Sequence, residues 1–586
     1  MSMKPVPLPD PDPVIAAAIR KKYAGKRPPL AVTVRDRLGC WLPDEAFAPA
    51  FARRGRPGLS PAMLAVVTAL QYAEDLTDRE AAEAVRTRLD WQYALGLALD
   101  DPGFDFTVLS EFRGRVAGHG LEQAVLDALL ARLVSEGLLG PGGNQRTDST
   151  HVLARARDLH TRELLRESVR AALEALAAAC PGWTAARLCT ADWNARYGPR
   201  PGSWAIPGQR GKRGRRKRDD GAAVTHARDG YALVSACCED TAPPSARELP
   251  AVQVLRTVLL QRCMISEDGS GREAVRMREA GSESGLPPAR RRIETPYDPL
   301  ARRGIKDGTS WLGWKLHVTD TCDGPPACGC PPGARCPHDV LPAVITGVAT
   351  TDACVPDIVM TVPVTAALAA RGLAPARHYA DSGYASAPAM AALAAAGTAL
   401  VSPLTADTSR QAREGRGYDR SAFTIDYDHR TATCPQGRAS SSWSRTSGRG
   451  RPVIIAQFPA SACRACPARP DCTASAARGR SLHIPPREIH QLQAAARAGQ
   501  ATPAWQQDYN RRAGCEATIS QALATAGTRR ARYHGLARTR VEHVFTAVAV
   551  NLIRLDAHWN GIPLQRTRTT HLMRLSQAPP EDPNPN

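Results

Sequence analysis

The sequence predicts an α/β protein in two styles: an all-α N-terminal domain, then a core of strands and helices broken by insertions. Three observations carry this. Residues 30 to 137 read as a succession of short helical patterns with no strand-like run. Beyond 141, strand-like runs such as "NQRTDSTHVLA", "TSWLGWKLHVTD", "AVITGVATT" and "ARHYADSGYAS" alternate with helical stretches, the pattern of a sheet flanked by helices. Two segments, about 180 to 300 and 401 to 500, are polar and poorly periodic, which marks them as insertions.

Taken in order, residues 1–28 are a Pro-rich, flexible arm, and 29–140 form the helical N-terminal domain. There "GLSPAMLAVVTALQYA" offers Ser60 as a helix cap and Pro61 at the first helical position. "LTDREAAEAVRTRL" offers a capping box between Thr77 and Glu80. Arg86, Arg88, Arg113 and Arg115 suit a helix-turn-helix-like reader of DNA, and an ordinary dimerisation domain fits equally well. Residues 141–400 are the first part of the core, with a basic insertion at ~180–300. A Cys-rich insertion follows at 401–500, then core helices at 501–575 and a tail at 576–586 with a disordered composition.

The net charge of +19 favours a polyanionic partner, nucleic acid first. The densest basic run, "GQRGKRGRRKRDDG", brings Lys212, Arg213, Arg215, Arg216 and Lys217 together as candidate phosphate contacts. No signal peptide is visible, and no run approaches the ~20 apolar residues of a membrane span. The expectation is a soluble, cytoplasmic, nucleoid-associated protein without a membrane partner. There is no Walker A loop, no His-Glu-x-x-His helix and no Gly-x-Ser-x-Gly elbow, which removes those nucleotide, protease and hydrolase classes.

Three acids stand at informative places: Asp148 on the first strand, Asp381 at the end of a later strand, and Glu516 in a late helix. Carboxylates from two strand ends and one facing helix can hold a pair of Mg²⁺ ions ~3.5–4 Å apart, the arrangement for in-line phosphoryl transfer. In "YNRRAGCEATISQ", Tyr509, Arg512 and Glu516 fall at i, i+3 and i+7 of one helical face. Ile519 and Leu523 continue that stripe, so Glu516 is expected to point inward. A rival, Glu542, also follows an arginine by four. It falls on the flank of the stripe made by Val541, Val544, Phe545, Val548 and Leu552, where an ion pair with Arg538 would only decorate the surface.

Sixteen cysteines in a reducing compartment are free thiols or metal ligands. Cys434, Cys463, Cys466 and Cys472 give one Cys-x2-Cys pair and two outlying thiols, a candidate structural Zn²⁺ site in an insertion too polar for a core of its own. Cys322, Cys328, Cys330, Cys336 and His338 form a looser second set.

Four motifs in order resemble the DDE transposases of bacterial insertion sequences. "RTDSTHV" matches the family's first-Asp motif, "DSGY" its second, and Tyr509-x2-Arg512-x3-Glu516 its third block. "GWKLH", Gly313 to His317, resembles its "GYKVH" strand. The family block usually carries a basic residue seven or eight positions further on, where this chain has Leu523 and Ala524. The resemblance implies an RNase H-like catalytic core with Asp148, Asp381 and Glu516 as ligands of two Mg²⁺ ions, for which Mn²⁺ can substitute. It also implies DNA contacts at Tyr509, Arg512 and Lys315, and similar cysteines occur in this insertion within a subgroup of the family. The implied function is binding of terminal inverted repeats by a homodimer, then DNA cleavage and strand transfer. A domesticated or inactive DNA-binding relative and a host RNase H-like nuclease are the alternatives.

Overall fold

The computed structural model describes residues 2–3, 5, 7–198, 214–267, 273–279, 285–306, 308–323, 343–405, 407, 409–448, 450–475 and 477–562. Seven helices come first: α1 (Pro13–Lys22), α2 (Leu30–Leu38), α3 (Pro61–Ala73), α4 (Asp78–Thr87), α5 (Leu89–Leu95), α6 (Thr107–His119) and α7 (Gln123–Ser135). Both expected caps form. Ser60 Oγ accepts from Met63 N at 3.0 Å, and Thr77 and Glu80 close a reciprocal box at the start of α4. The expected flexible arm is helical over α1, because Ile15 and Ile19 bury their side chains with Val32.

The core sheet contains β1 (Asn144–Leu153), β4 (Arg302–Lys306), β5 (Thr309–Thr321), β6 (Ile345–Asp352), β7 (Arg377–Ala380) and β8 (Ala399–Val401); β2 and β3 are named below. β5 pairs antiparallel with β1 on one side, and with β4 and then β6 along the other. β7 runs parallel to β1, and β8 parallel to β7. The result is a mixed sheet in which the antiparallel strands lead into two parallel ones. Gly313 sits at φ +152 with the Val152 carbonyl 2.1 Å from where a Cβ would be, so only glycine lets β5 pass the end of β1.

Helices flank this sheet: α13 (Asp357–Ala370) lies against β6, α20 (Gly514–Ala526) against β1 and β5, and α21 (Leu536–Trp559) against β6. α21 also packs on α2, α3, α6 and α7. One apolar cluster therefore runs from Val67 and Leu129 through Phe545 and Val548 to Trp314 and Leu316. The N-terminal helices share the core of the sheet, with α21 as the common wall.

The segment at ~180–300 is more ordered than its composition suggests. It contains α9 (Pro181–Arg187), α10 (Ala191–Tyr197), α11 (Gly214–Ala236), α12 (Pro250–Arg262) and the hairpin β2 (Cys263–Glu267) and β3 (Glu273–Met277). With α8 (Thr161–Ala179) these build a second apolar cluster around Leu165, Val169, Leu233, Leu255 and Val258. α14 (Ala387–Ala395) precedes β8 and α15 (Arg410–Glu414) follows it.

The 401–500 insertion then adds β9 (Thr424–Asp426), β10 (Thr431–Thr433), β11 (Ser442–Gly448), β12 (Arg451–Gln457), α16 (Ala460–Arg464), α17 (Arg469–Cys472), β13 (Ser481–Ile484) and α18 (Arg487–Gln500). Contrary to expectation it has a small core of its own, made by Phe423, Ile454, Phe458, Leu482 and Ile484. Among the described residues, no helix is long and apolar enough to cross a membrane.

Candidate active site

The sheet register brings the first two acids together. Thr147 on β1 pairs with Ala380 on β7, so Asp148 and Asp381 occupy the next position on two adjacent parallel strands. Neighbouring strands lie about 4.8 Å apart, which places the two residues side by side where β7 ends against the middle of β1. Asp148 is 8% exposed, and its carboxyl is held above the usual range by burial, with the charge of Asp381 adding to the effect. The Ser149 N–H and the Arg512 guanidinium pull the other way.

The third acid arrives differently from the single helix expected. α19 (Pro503–Tyr509) ends in a 3-10 segment, Asn510–Ala513, before α20 begins, and Glu516 lies in the first turn of α20. The Glu516 side chain is 65% exposed, so it does not point into the core. It is nevertheless tied to the site. Arg512 donates to Asp148 Oδ2 at 2.8 Å and to Glu516 Oε1 at 2.9 Å, one guanidinium bridging the two acids. Tyr509 stacks on Trp505 with ring centroids 4.9 Å apart, and its hydroxyl is held above its usual range by burial.

The rival glutamate is the buried one. Glu542 is fully buried in α21, where its Oε2 accepts from Arg532 N at 2.9 Å and its Oε1 has no hydrogen-bond partner. Burial pushes its carboxyl up to about 8. Its largest charged influences are Arg532, Arg155 and Arg113. The expectation that Glu516 faces inward and Glu542 lies on the flank is thus reversed in burial, while Arg512 joins Glu516 to Asp148.

Lys315, expected at the DNA, is turned into the protein. Its Nζ donates to Asp357 Oδ1 at 3.0 Å and to the Val355 carbonyl at 2.9 Å. Arg113 is likewise buried, paired with Asp78, and Arg88 is paired with Glu74 and Asp90, so neither is offered to DNA. Lys212 and Arg213 lie outside the described residues, and of Arg215, Arg216 and Lys217 only the helical backbone at the start of α11 is described. Cys328, Cys330, Cys336 and His338 also lie outside them.

Cys434, Cys463, Cys466 and Cys472 all line one pocket of about 40 Å³. Among the described residues, however, no group of three or more His, Cys, Asp or Glu side chains is arranged to hold a metal ion. The four cysteines are free thiols. At the three acids, Asp148 and Glu516 are spaced by the intervening guanidinium.

Sequence reasoning missed Asp357, the first residue of α13, whose Oδ2 accepts from Ser149 Oγ at 3.1 Å, next to Asp148. As a lone acid in a helical first turn it carried no signal. It also missed Arg529, which donates to the His151 carbonyl at 2.9 Å and Thr150 Oγ1 at 3.1 Å on β1. This places a basic residue near the site although Leu523 and Ala524 are not basic.

A family model described as a transposase DDE domain matches residues 433–556, and one described as a transposase domain (DUF772) matches residues 27–115. The two matches together support an insertion-sequence DDE transposase. The first match spans Glu516 and Glu542 as well as the four pocket cysteines, and the second covers α2 to the middle of α6. No curated protein and no solved structure matches the chain.

Proposed function

We propose that this transposase cuts DNA at the ends of its mobile element and joins them to target DNA, using Asp148, Asp381 and Glu516. The carrying observation is the placement of Asp148 and Asp381 side by side on parallel strands, with Arg512 linking Asp148 to Glu516. The sheet, with antiparallel strands leading into two parallel ones, supports an RNase H-like core.

The donor set fits Mg²⁺ because carboxylate oxygens are the hard ligands it takes. The bridging guanidinium marks a point toward which Asp148 and Glu516 both present negative charge. Asp148, Asp381 and Glu516 would hold two Mg²⁺ ions, or Mn²⁺ in their place. The metal supplies charge neutralisation at the phosphate and a more acidic bound water. Arg512, once released from the acids, offers a planar fork suited to a DNA phosphate, and Tyr509 stands beside it. The helices within residues 27–115 and the basic run at 212–217 would hold the terminal inverted repeats. A homodimer would pair the two ends.

The test is a Mg²⁺-dependent cleavage and strand-transfer assay on DNA ending in the inverted repeats that flank the gene. Nicking at the repeat ends followed by joining is expected. Cleavage without joining would instead indicate a nuclease, and binding alone a DNA-binding protein without catalysis.

A further inference from the structure

Behind the two aspartates runs a polar chain that no sequence motif predicts as a unit. Asp357 lies at its centre, on the first turn of α13, where the helix dipole favours an acid. One carboxylate joins two strands of the sheet and reaches the loop after a third. It accepts from Ser149 of β1 at 3.1 Å and from Lys315 of β5 at 3.0 Å, and it stands beside Gly383 in the loop after β7. A Cβ on Gly383 would lie 3.0 Å from Asp381 Oδ1 and 3.5 Å from Asp357 Oδ2, so both carboxylates crowd the same glycine.

The chain continues away from Asp357. The Tyr384 hydroxyl engages Ser149 and lies 2.6 Å from His317 Nδ1, while His317 Nε2 is 3.2 Å from Thr351 Oγ1. Each aspartate is fastened to this chain by backbone donors. Ser149 N–H reaches Asp148 Oδ1 at 2.7 Å, and Gly383 N–H reaches Asp381 Oδ1 at 3.0 Å. Tyr384 N–H donates to the Asp381 carbonyl at 3.1 Å. Lys315 is also anchored on the Val355 carbonyl, so Asp357 is held by a cation that the protein fixes in place.

We propose that Asp357 is a positioning residue of the site, setting the separation of Asp148 and Asp381 through Ser149, Lys315 and the Gly383 turn. This rests on the assignment of Asp148 and Asp381 made above. Removing the carboxylate would free the Ser149 hydroxyl and leave the Lys315 ammonium without its charge partner, so β1 and β5 would lose their shared brace beside Asp148. Outer partners of metal ligands typically cost 10–100-fold in metal affinity when removed.

The experiment compares full-length wild type, Asp357→Asn, Asp357→Ala and Asp148→Asn. Three quantities are read: the Mg²⁺ concentration for half-maximal cleavage of repeat-end DNA, the Kd for Mn²⁺ by paramagnetic resonance without turnover, and Tm. Asp357→Ala is expected to raise both metal constants about 10-fold, with DNA binding unchanged. Asp357→Asn, which can still accept from Ser149, should fall between it and wild type, and it carries the test if the alanine variant fails to fold. Metal constants within about twofold of wild type in the folded variants overturn the proposal, as does a loss that follows Tm alone. Should Asp148→Asn still cleave, the catalytic assignment itself fails; if it is dead while the Asp357 variants keep wild-type metal constants, only the role of Asp357 fails.

Discussion

Arg512 donates to Asp148 Oδ2 at 2.8 Å, across 364 residues of sequence, while its other terminal nitrogen holds Glu516. The guanidinium therefore occupies the space between the first and third acids. A metal held by those acids would compete with Arg512 for the same oxygens. Removing any one carboxylate should leave the fold intact, because Asn and Gln keep the side-chain size and the backbone pairing of β1, Asp381 follows the end of β7, and Glu516 is exposed. Asp148→Asn, Asp381→Asn and Glu516→Gln are each expected to lose cleavage by on the order of 10²-fold or more, since a metal-assisted step depends on its ligand count. Binding to repeat-end DNA by gel shift should be retained. Wild-type cleavage by Glu516→Gln would remove it from the site.

Glu542 gives the complementary prediction. Its carboxyl is raised to about 8 in the folded chain, whereas the unfolded chain loses the same proton near the ordinary glutamate value. Between roughly pH 4.5 and 8 the folded state binds more protons than the unfolded one, so this group lowers stability as pH rises through that window. Glu542→Gln, neutral at every pH, should therefore gain on wild type by a few kcal/mol between pH 5 and 8.5, and it should still cleave DNA. Denaturant unfolding at a series of pH values measures this. A stability difference that does not change with pH would contradict the buried, proton-holding carboxyl.

These two glutamates show where the sequence was and was not legible. The caps at Ser60 and at Thr77 with Glu80 are local hydrogen bonds between residues three apart, so the sequence contains all their partners. Asp148 and Asp381 were legible because each sits in a short contiguous motif, RTDSTHV and DSGY. The stripe through Tyr509, Arg512 and Glu516 was read at 3.6 residues per turn. The chain passes through a tighter 3-10 segment at Asn510–Ala513, which changes the phase and turns Glu516 outward. Helices α11 and α12 escaped notice because their apolar residues gain meaning only against α8. Asp357 acquires its partners from β1 and β5, both distant in sequence.

The basic run at 211–218 holds six of the chain's lysines and arginines. Each phosphate neutralised contributes about 0.9 to the slope of log K against log salt on duplex DNA. Deleting 211–218 should flatten that slope by several units on repeat-end and unrelated DNA alike. The expected result is weaker binding at low salt with little change in sequence preference, measured by fluorescence anisotropy from 50 to 300 mM salt. An unchanged slope would make the run a solvated segment.

The last prediction concerns the pocket cysteines. Cys434 and Cys463 each accept a backbone N–H at sulfur, from Arg438 and Arg480, both at 3.4 Å. Burial raises the Cys472 thiol, and the neighbouring Cys463, Cys466 and Cys434 raise it further. Zinc binds thiols as thiolates, so its uptake should release protons and tighten as pH rises. The sulfurs must draw inward across the pocket to reach tetrahedral geometry. Protein purified in zinc-replete medium is expected to hold one zinc per chain by mass spectrometry, and Cys466→Ser to lose it with a lower Tm. The small apolar core around Ile454 and Phe458 should keep the insertion partly folded after chelation, so the drop in Tm should be modest. A metal-free chain whose Tm does not respond to chelator would leave the four residues as free thiols.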